Sequence, residues 1–335
     1  MILCISCRNF IACLGGRVGS PARTFTSIRE QFVPKHDSVT TDDVSVAQEF
    51  LIKHRNILVL TGAGISTESG VPDYRSEEVG LYARSNHKPT QYHEFVQSEA
   101  LRRRYWARNY VGFEQFAAIR PNRAHKILAD WEHRGDKIQW IVTQNVDRLH
   151  QKAGSSKVTE LHGSGFIVKC LNVRSGSCDY SIDRLEFQRV LDELNPQLCD
   201  MDTLDTLRTI RPDGDIDLSP ELEENFKVPS CPKCSGILKP DIIFFGDNVP
   251  SKRVEFVYRQ LDESDSLLVI GSSLYVYSGY RFALTAHEKG IPIMIINIGP
   301  SRADKLSGVI SIRRRVGELL PLIDLSKERY ASNFN

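Results

Sequence analysis

The chain has 335 residues, 41% of them apolar and 25% charged, with a formal net charge of +1. That length and composition exclude wholesale disorder, collagen-like repeats and coiled coil. The near-neutral balance gives no electrostatic case for nucleic acid or a membrane as partner, and no stretch reaches the ~18 apolar residues of a membrane span.

Residues 1–29 contain no Asp, Glu or Lys but carry Arg8, Arg17, Arg23 and Arg29 among Ser, Thr and small residues. That pattern predicts a mitochondrial transit peptide and a matrix location. Next, Thr41 is placed to N-cap a helix, with Asp42 and Asp43 in its first turn and Val44, Ala47 and Leu51 on one face. The all-apolar run Ile57 to Leu60 then enters Gly62-Ala63-Gly64, the pattern of a strand buried on both faces in a parallel sheet. Similar runs recur at 138–142, 267–270 and 293–296, separated by helical patterns such as Val254 to Leu261 and Tyr280 to Lys289. This alternation predicts an α/β fold with a doubly wound parallel sheet, over residues 40–165 and 240–325. Between them, residues 166–239 hold cysteines, a helix from Asp183 to Leu194, an acidic turn Pro212-Asp213-Gly214-Asp215 and the helix start Ser219-Pro220-Glu221. They read as a small inserted module, with strands resuming at 242–245.

Several short motifs carry chemistry. A glycine turn after a buried strand suits a pyrophosphate, because backbone N–H groups can approach the anion. A tight turn without a ligand is the alternative, since Thr67 stands where the dinucleotide fingerprint has its third glycine. Asp73-Tyr74-Arg75 is placed to bind an amide and orient a loop, or to form a surface ion pair. Thr143-Gln144-Asn145-Val146-Asp147 ends an apolar strand, where ligands bind in open parallel sheets. His162, beside Gly163 at the end of a short strand from Val158, is the candidate general base among nine histidines. His125 and His150 read as structural. Cys231-Pro232-Lys233-Cys234 is a zinc knuckle in need of a second pair, or else two free thiols. Its partner region starts at Cys170, but Val173 stands where Cys-x-x-Cys would end, and the next cysteine is Cys178. The odd count of five cysteines beyond residue 29 argues against a secreted disulfide framework.

In order and spacing, Thr61-Gly-Ala-Gly-Ile-Ser66, Ser69-Gly-Val-Pro-Asp-Tyr-Arg75, Thr143 to Asp147, Leu161-His-Gly163, Gly271-Ser-Ser-Leu274 and Asn297 resemble the sirtuins. These are NAD-dependent protein deacylases, and the likeness runs from about residue 40 to 323. Asp-Tyr-Arg, Gly80 to Arg84, Tyr105 to Arg108 and Gly317 to Leu320 are similar to the mitochondrial class II branch. The resemblance implies NAD and Zn²⁺ as cofactors and acyl-lysine proteins of the mitochondrial matrix as substrates. It implies that an acyl-lysine oxygen attacks the nicotinamide ribose, that nicotinamide leaves, and that the acyl group ends on ADP-ribose. It extends to ADP-ribosyl transfer and lipoamide removal as further activities. His162, with Asn145 and Asp147, would form the catalytic set. Ala63, Ile65, Asn145 and Asp147 would hold the nicotinamide amide, and Gln144 and Asn145 the ribose. Gly271, Ser272, Ser273 and Asn297 would line the adenosine side. Gly62, Gly64, Ser66, Asp73, Tyr74, Arg75, Gly299 and Val316 would complete the NAD site. A substrate peptide would add as a strand between Gly246 and the loop from Leu274 to Val276. Tyr105 and Arg108, three apart on a helix starting near Glu99, resemble a pair that holds an acidic acyl chain, so glutaryl-type groups should surpass acetyl.

Three departures stand out. Val173 replaces a zinc ligand, Ser164 follows His-Gly where a cysteine is common, and Ser278-Gly279 stands where many members have Pro-Ala. Deleting residues 173–177 on paper restores Cys-Leu-Asn-Cys, so Cys170, Cys178, Cys231 and Cys234 are the expected zinc ligands and Cys199 the reserve. An NAD oxidoreductase would need the third glycine and a ribose-binding acid, and neither is evident. A non-catalytic zinc-ribbon adaptor would not need Asn145, Asp147 and His162.

Overall fold

The computed structural model describes residues 31–84, 89–134, 137–174, 176–198 and 211–325. The expected transit peptide and Cys199 lie outside them.

Six parallel strands form the main sheet in the order β3-β2-β1-β7-β8-β9. They are β1 (Ile57–Thr61), β2 (Ile138–Thr143), β3 (Val158–Glu160), β7 (Ser266–Ile270), β8 (Ile293–Ile296) and β9 (Ile310–Ile312). Every residue of β1, β7 and β8 is buried, which is why these runs are apolar without alternation. Side chains nevertheless divide with period two. Ile57, Val59, Leu268 and Ile270 pack under the helices Thr41–Lys53 and Arg123–His133. Leu58, Leu60, Leu267 and Val269 face the helices Ser251–Asp262 and Tyr277–Glu288.

Local signals fell close to the observed ends. The first helix is capped by Thr40, not Thr41: Thr40 stays extended, accepts from the Asp43 N–H, and Asp43 bonds back in a capping box. The helix expected from Tyr280 starts at Tyr277 and stops before Gly290, which takes the left-handed φ of 70°. Asp183 caps the helix Arg184–Leu194. Ser219 precedes the helix Pro220–Asn225, with Pro220 at its first position.

A second, antiparallel sheet has the order β5-β4-β6, from β4 (Gly163–Cys170), β5 (Ser181–Asp183) and β6 (Leu238–Ile242). The strand expected at 242–245 is thus corrected: it spans Leu238–Ile242 and pairs with β4, not with the main sheet. The pairing ends there because β4 begins only at Gly163, and Phe244 turns into an aromatic cluster with Phe95 and Tyr105. The long helix Glu99–Ala118 belongs with this small sheet by packing. Its Trp106, Phe113 and Phe116 share a core with Phe166, Phe187 and Ile216, and the Trp106 indole donates to the Leu238 carbonyl at 3.2 Å.

Candidate active site

The site lies where the order of the main sheet reverses, between the carboxyl ends of β1 and β7. The backbones after these strands nearly touch. Gly62 N–H donates to the Ile270 carbonyl at 3.1 Å and Gly64 N–H to the Gly271 carbonyl at 2.9 Å. A Cβ at Gly64 would lie 2.8 Å from that carbonyl oxygen, and Gly271 itself holds φ at 59°. These glycines therefore serve the approach of two strand ends, and Ala63–Ser69 follows as a 3₁₀ turn.

Residues leaving β2 fill the crevice. The Gln144 amide donates to Ser272 Oγ at 2.7 Å. The Asn145 amide donates to the Gly62 carbonyl and to Ser66 Oγ, both at 3.1 Å. Ser66 in turn donates to the Asp147 carboxylate at 2.7 Å. Asp147 is buried; desolvation raises its pKa, while the Leu149 N–H and the Ser66 hydroxyl oppose the rise. The Ile65 carbonyl accepts from Asn122 at 2.6 Å.

His162 closes one side. Its Nδ1 sits 3.0 Å from the Gln144 carbonyl oxygen, which can only accept, so Nδ1 carries the proton. Nε2 then offers its lone pair, and Ser278 Oγ donates to it at 2.8 Å. Desolvation lowers the His162 pKa to about 4; the Gln144 bond opposes this, and the Arg253 and Arg281 cations add to it. The ring is therefore neutral at ordinary pH, with its lone pair on Nε2. The chain toward Gly246 begins on the same residue, since Ile243 N–H donates to the His162 carbonyl at 2.8 Å. Leu274 and Val276 immediately precede the helix that carries Ser278. Both loops expected to receive a peptide thus flank His162.

The residues expected on the adenosine side also gather at strand ends. Ser273 follows β7 and its carbonyl accepts from Arg302 N–H at 2.8 Å. Asn297 follows β8 and donates to the Gly299 carbonyl at 2.7 Å. Val316 is buried at the start of the helix Val316–Leu319. Asp73 forms no ion pair with Arg75; it accepts from the backbone N–H groups of Arg75 and Ser76 and closes its own loop. The Arg75 guanidinium instead stacks 4.4 Å from the Tyr275 ring, and burial keeps the Tyr74 phenol neutral.

Tyr105 and Arg108 do share one helix face. Tyr105 packs edge-on to Phe95 and Phe244, and its buried hydroxyl has no hydrogen-bond partner among the described residues. Arg108 already faces carboxylates, with Nε 3.3 Å from Asp215 and 3.7 Å from Glu223. The acidic turn lies against this pair, and desolvation beside Asp215 raises the Asp213 pKa to about 6. Sequence reasoning read that stretch as an acidic turn and gave it no role. It also missed Asn122, whose place before a helical run is an N-cap signal, and Glu160, whose pKa desolvation raises to about 7.

Far along the small sheet, Cys170, Cys178, Cys231 and Cys234 place their sulfurs within 4.8 Å of one another. Cys170 and Cys234 are 3.5 Å apart, and Cys178 and Cys231 3.7 Å. A tetrahedral zinc with Zn–S near 2.3 Å requires sulfurs roughly 3.8 Å apart, so the four thiols are compatible with a zinc site. His125 and His150 are structural, as expected: their rings contact at 4.9 Å, and they bond Asn122 and Thr61.

The sheet order, the paired glycine ends and the half-buried, neutral His162 define a nucleotide-type crevice beside a histidine suited to general-base work. The Sir2 family pattern matches residues 62–278, and the chain belongs to that family. It is 51% identical over 317 residues to the NAD-dependent protein deacylase Sirt4 of Drosophila melanogaster, covering 94% of this chain and 98% of the relative. It is 50% identical over 293 residues to the human NAD-dependent protein lipoamidase sirtuin-4, mitochondrial, covering 88% and 90%. Among solved structures, one described as the structural basis for the mechanism and regulation of Sir2 enzymes aligns with TM-score 0.63 at 27% identity, covering 87% of this chain and all of that one. A Sir2 with p53 peptide and NAD⁺ aligns with TM-score 0.59 at 25% identity, covering 87% and 97%.

Proposed function

We propose that this protein is an NAD-dependent protein-lysine deacylase that acts on acyl-lysine proteins of the mitochondrial matrix. The observation that carries the reading is His162, neutral, with Nδ1–H held by the Gln144 carbonyl and the Nε2 lone pair directed at a hydroxyl, that of Ser278, as a base is directed at the hydroxyl it deprotonates. NAD supplies the ribose from which nicotinamide leaves and to which the acyl group passes. The chain does the rest. Asn145, Ser66 and Asp147 form a linked set of donors and acceptors for a carboxamide. Gln144 and Ser272 bridge β2 to β7 beside the ribose position. His162 accepts a hydroxyl proton at Nε2. Cys170, Cys178, Cys231 and Cys234 hold one zinc remote from this chemistry. The experiment is nicotinamide release from NAD with and without an acyl-lysine peptide. Release that depends on the peptide supports the reading; no release, or release indifferent to peptide, overturns it.

Tyr105 and Arg108 line the acyl channel in this reading. The unpartnered phenol favours an acyl chain that reaches it and carries an acceptor, so acetyl is the poorest substrate. Because Asp215 and Glu223 already neutralise Arg108, an acidic acyl group must displace a carboxylate, whereas a long neutral chain such as lipoyl need not. The measurement is kcat/KM for acetyl, glutaryl, hydroxymethylglutaryl and lipoyl peptides on wild type, Arg108→Met and Asp215→Asn. Asp215→Asn should raise the acidic acyl groups alone. Preference of the wild type for acetyl, or one acyl profile across all three proteins, would refute the channel.

A further inference from the structure

Of residues 173–177, which lengthen the cysteine knuckle, Arg174 and Ser177 are tied into the fold. Both feet of their loop stand on the thiol cluster. Ser177 N–H and Oγ donate to the Asn172 carbonyl at 3.2 and 3.3 Å, and the Asn172 amide donates to Cys234 Sγ at 3.4 Å. From this loop Arg174 reaches out and grips Asp247 bidentately, with both N–O distances 2.7 Å. Its guanidinium also lies 5.1 Å over the Tyr92 ring.

Asp247 is not a surface carboxylate; its side chain is only 5% exposed. Its N–H donates to the Phe244 carbonyl at 3.0 Å, and its Oδ1 accepts from Asn248 N–H at 2.8 Å. On the other side Tyr92 N–H donates to the Phe245 carbonyl at 2.8 Å. Gly246, at φ 78°, sits between these clamps. A glycine-centred loop that must receive a peptide through its backbone loses affinity whenever it is left free, because ordering it then costs conformational entropy. A rigid two-pronged guanidinium–carboxylate pair removes that freedom in a way a point charge does not.

We propose that Arg174 is a positioning residue through which the zinc knuckle sets the conformation of the peptide-receiving loop. The metal then supports peptide affinity as well as folding. This rests on the reading that Gly246 borders the peptide, and the experiment separates the two.

Full-length wild type, Arg174→Ala and Arg174→Lys are compared before and after zinc chelation. Amide hydrogen exchange over residues 243–250 is read without NAD or peptide, together with zinc content, and acyl-peptide KM and kcat are read on the undepleted proteins. We expect Arg174→Ala to keep its zinc, to exchange faster over 243–250 by about tenfold, and to raise peptide KM by a similar factor with kcat little changed, the scale of a lost charge-assisted bond. Arg174→Lys should recover only part, since it offers one prong. Chelation should speed exchange over 243–250 in wild type and add little in Arg174→Ala. Unchanged exchange in Arg174→Ala overturns the proposal, as does an equal effect of chelation in both proteins. Loss of zinc from Arg174→Ala overturns it too, because Arg174 would then serve metal retention. Faster exchange with unaltered peptide KM refutes the placement of the peptide at Gly246, and with it the affinity half of the proposal. Absence of peptide-dependent nicotinamide release in wild type touches the deacylase reading and leaves the exchange result standing.

Discussion

The two sheets hold themselves together by different means. The parallel sheet buries Leu58, Val59, Leu267, Leu268 and Ile295 at no more than 1% exposure, and its helices cover both faces. The three-stranded sheet shares an aromatic-rich apolar core with the long helix Glu99–Ala118, and buried polar groups are built into it. Arg184 is fully buried there. It donates to the Asn109 side-chain oxygen at 2.9 Å and to Gln188 at 2.6 Å, and it stacks 4.1 Å from the Phe113 ring. Burial lowers its pKa to about 9, so it keeps its charge at neutral pH. Four thiols close the far end. A sheet of three short strands is marginal by itself, so packing on the long helix, buried polar contacts and ligation by the thiols together hold it. The crevice residues sit at strand ends of the parallel sheet; of the two loops proposed to receive a peptide, the one at Gly246 follows the small sheet and the one from Leu274 to Val276 follows β7.

The sharpest break of that comparison is His162→Ala. It should lower deacylation by about 10²–10⁴-fold, the usual cost of losing a general base, with the melting temperature little changed. Near wild-type turnover would remove His162 from the mechanism. Zinc removal should act the other way round. Exchange protection should collapse in β4, β5 and β6 while β1 and β7 stay protected; simultaneous loss in both sheets would show that they fold as one unit. Side-chain truncation should then distinguish the cores. Leu268→Ala removes apolar contacts and should cost about 2–5 kcal/mol. Arg184→Ala strands Asn109 and Gln188 and should cost about 1–3 kcal/mol, read by denaturant titration. An Arg184→Ala protein as stable as wild type would mean that the polar core is dispensable.

The last break is acid sensitivity of the parallel sheet, which develops only as the pH falls below neutral. Desolvation lowers the His150 pKa to about 4, and His125 is also pushed well down, by burial and by His150. The unfolded chain therefore binds protons that the folded chain refuses. The stability these rings contribute is present in full above pH ~6.5 and is lost as pH falls toward 4, at up to about 1.4 kcal/mol per pH unit for each ring. Melting temperature against pH should show the slope, and His150→Asn should flatten it. A mutant profile parallel to wild type would contradict the linkage.

The parallel sheet was legible because its cause is local. A run buried on both faces must be apolar along its whole length, and Ile57 to Leu60, 267–270 and 293–296 announce themselves. The polar cluster after β2 and the histidine after β3 were legible because strand ends are where such residues have no packing reason to be. The small sheet was harder. Its strands are three to eight residues long and antiparallel, so residues 242–245 looked like a return to the main sheet when the strand there spans Leu238–Ile242 and pairs with β4.

Sequence by itself determined the doubly wound sheet, the crevice residues from Gly62 to Asp147, His162 and the likeness to the sirtuins, because each depends on neighbours close along the chain or on motifs in fixed order. The set Cys170, Cys178, Cys231 and Cys234 was reached from the sequence by closing a five-residue insertion on paper, and only the tertiary structure shows the four sulfurs gathered within 4.8 Å of one another. Tertiary structure alone paired Arg108 with Asp215 and Arg174 with Asp247, since charges more than 70 residues apart find each other only after the backbone between them has been placed. The proton on His162 Nδ1 belongs to the same class: it is set by the carbonyl of Gln144, which strand pairing brings within 3.0 Å and which no side chain in the sequence announces.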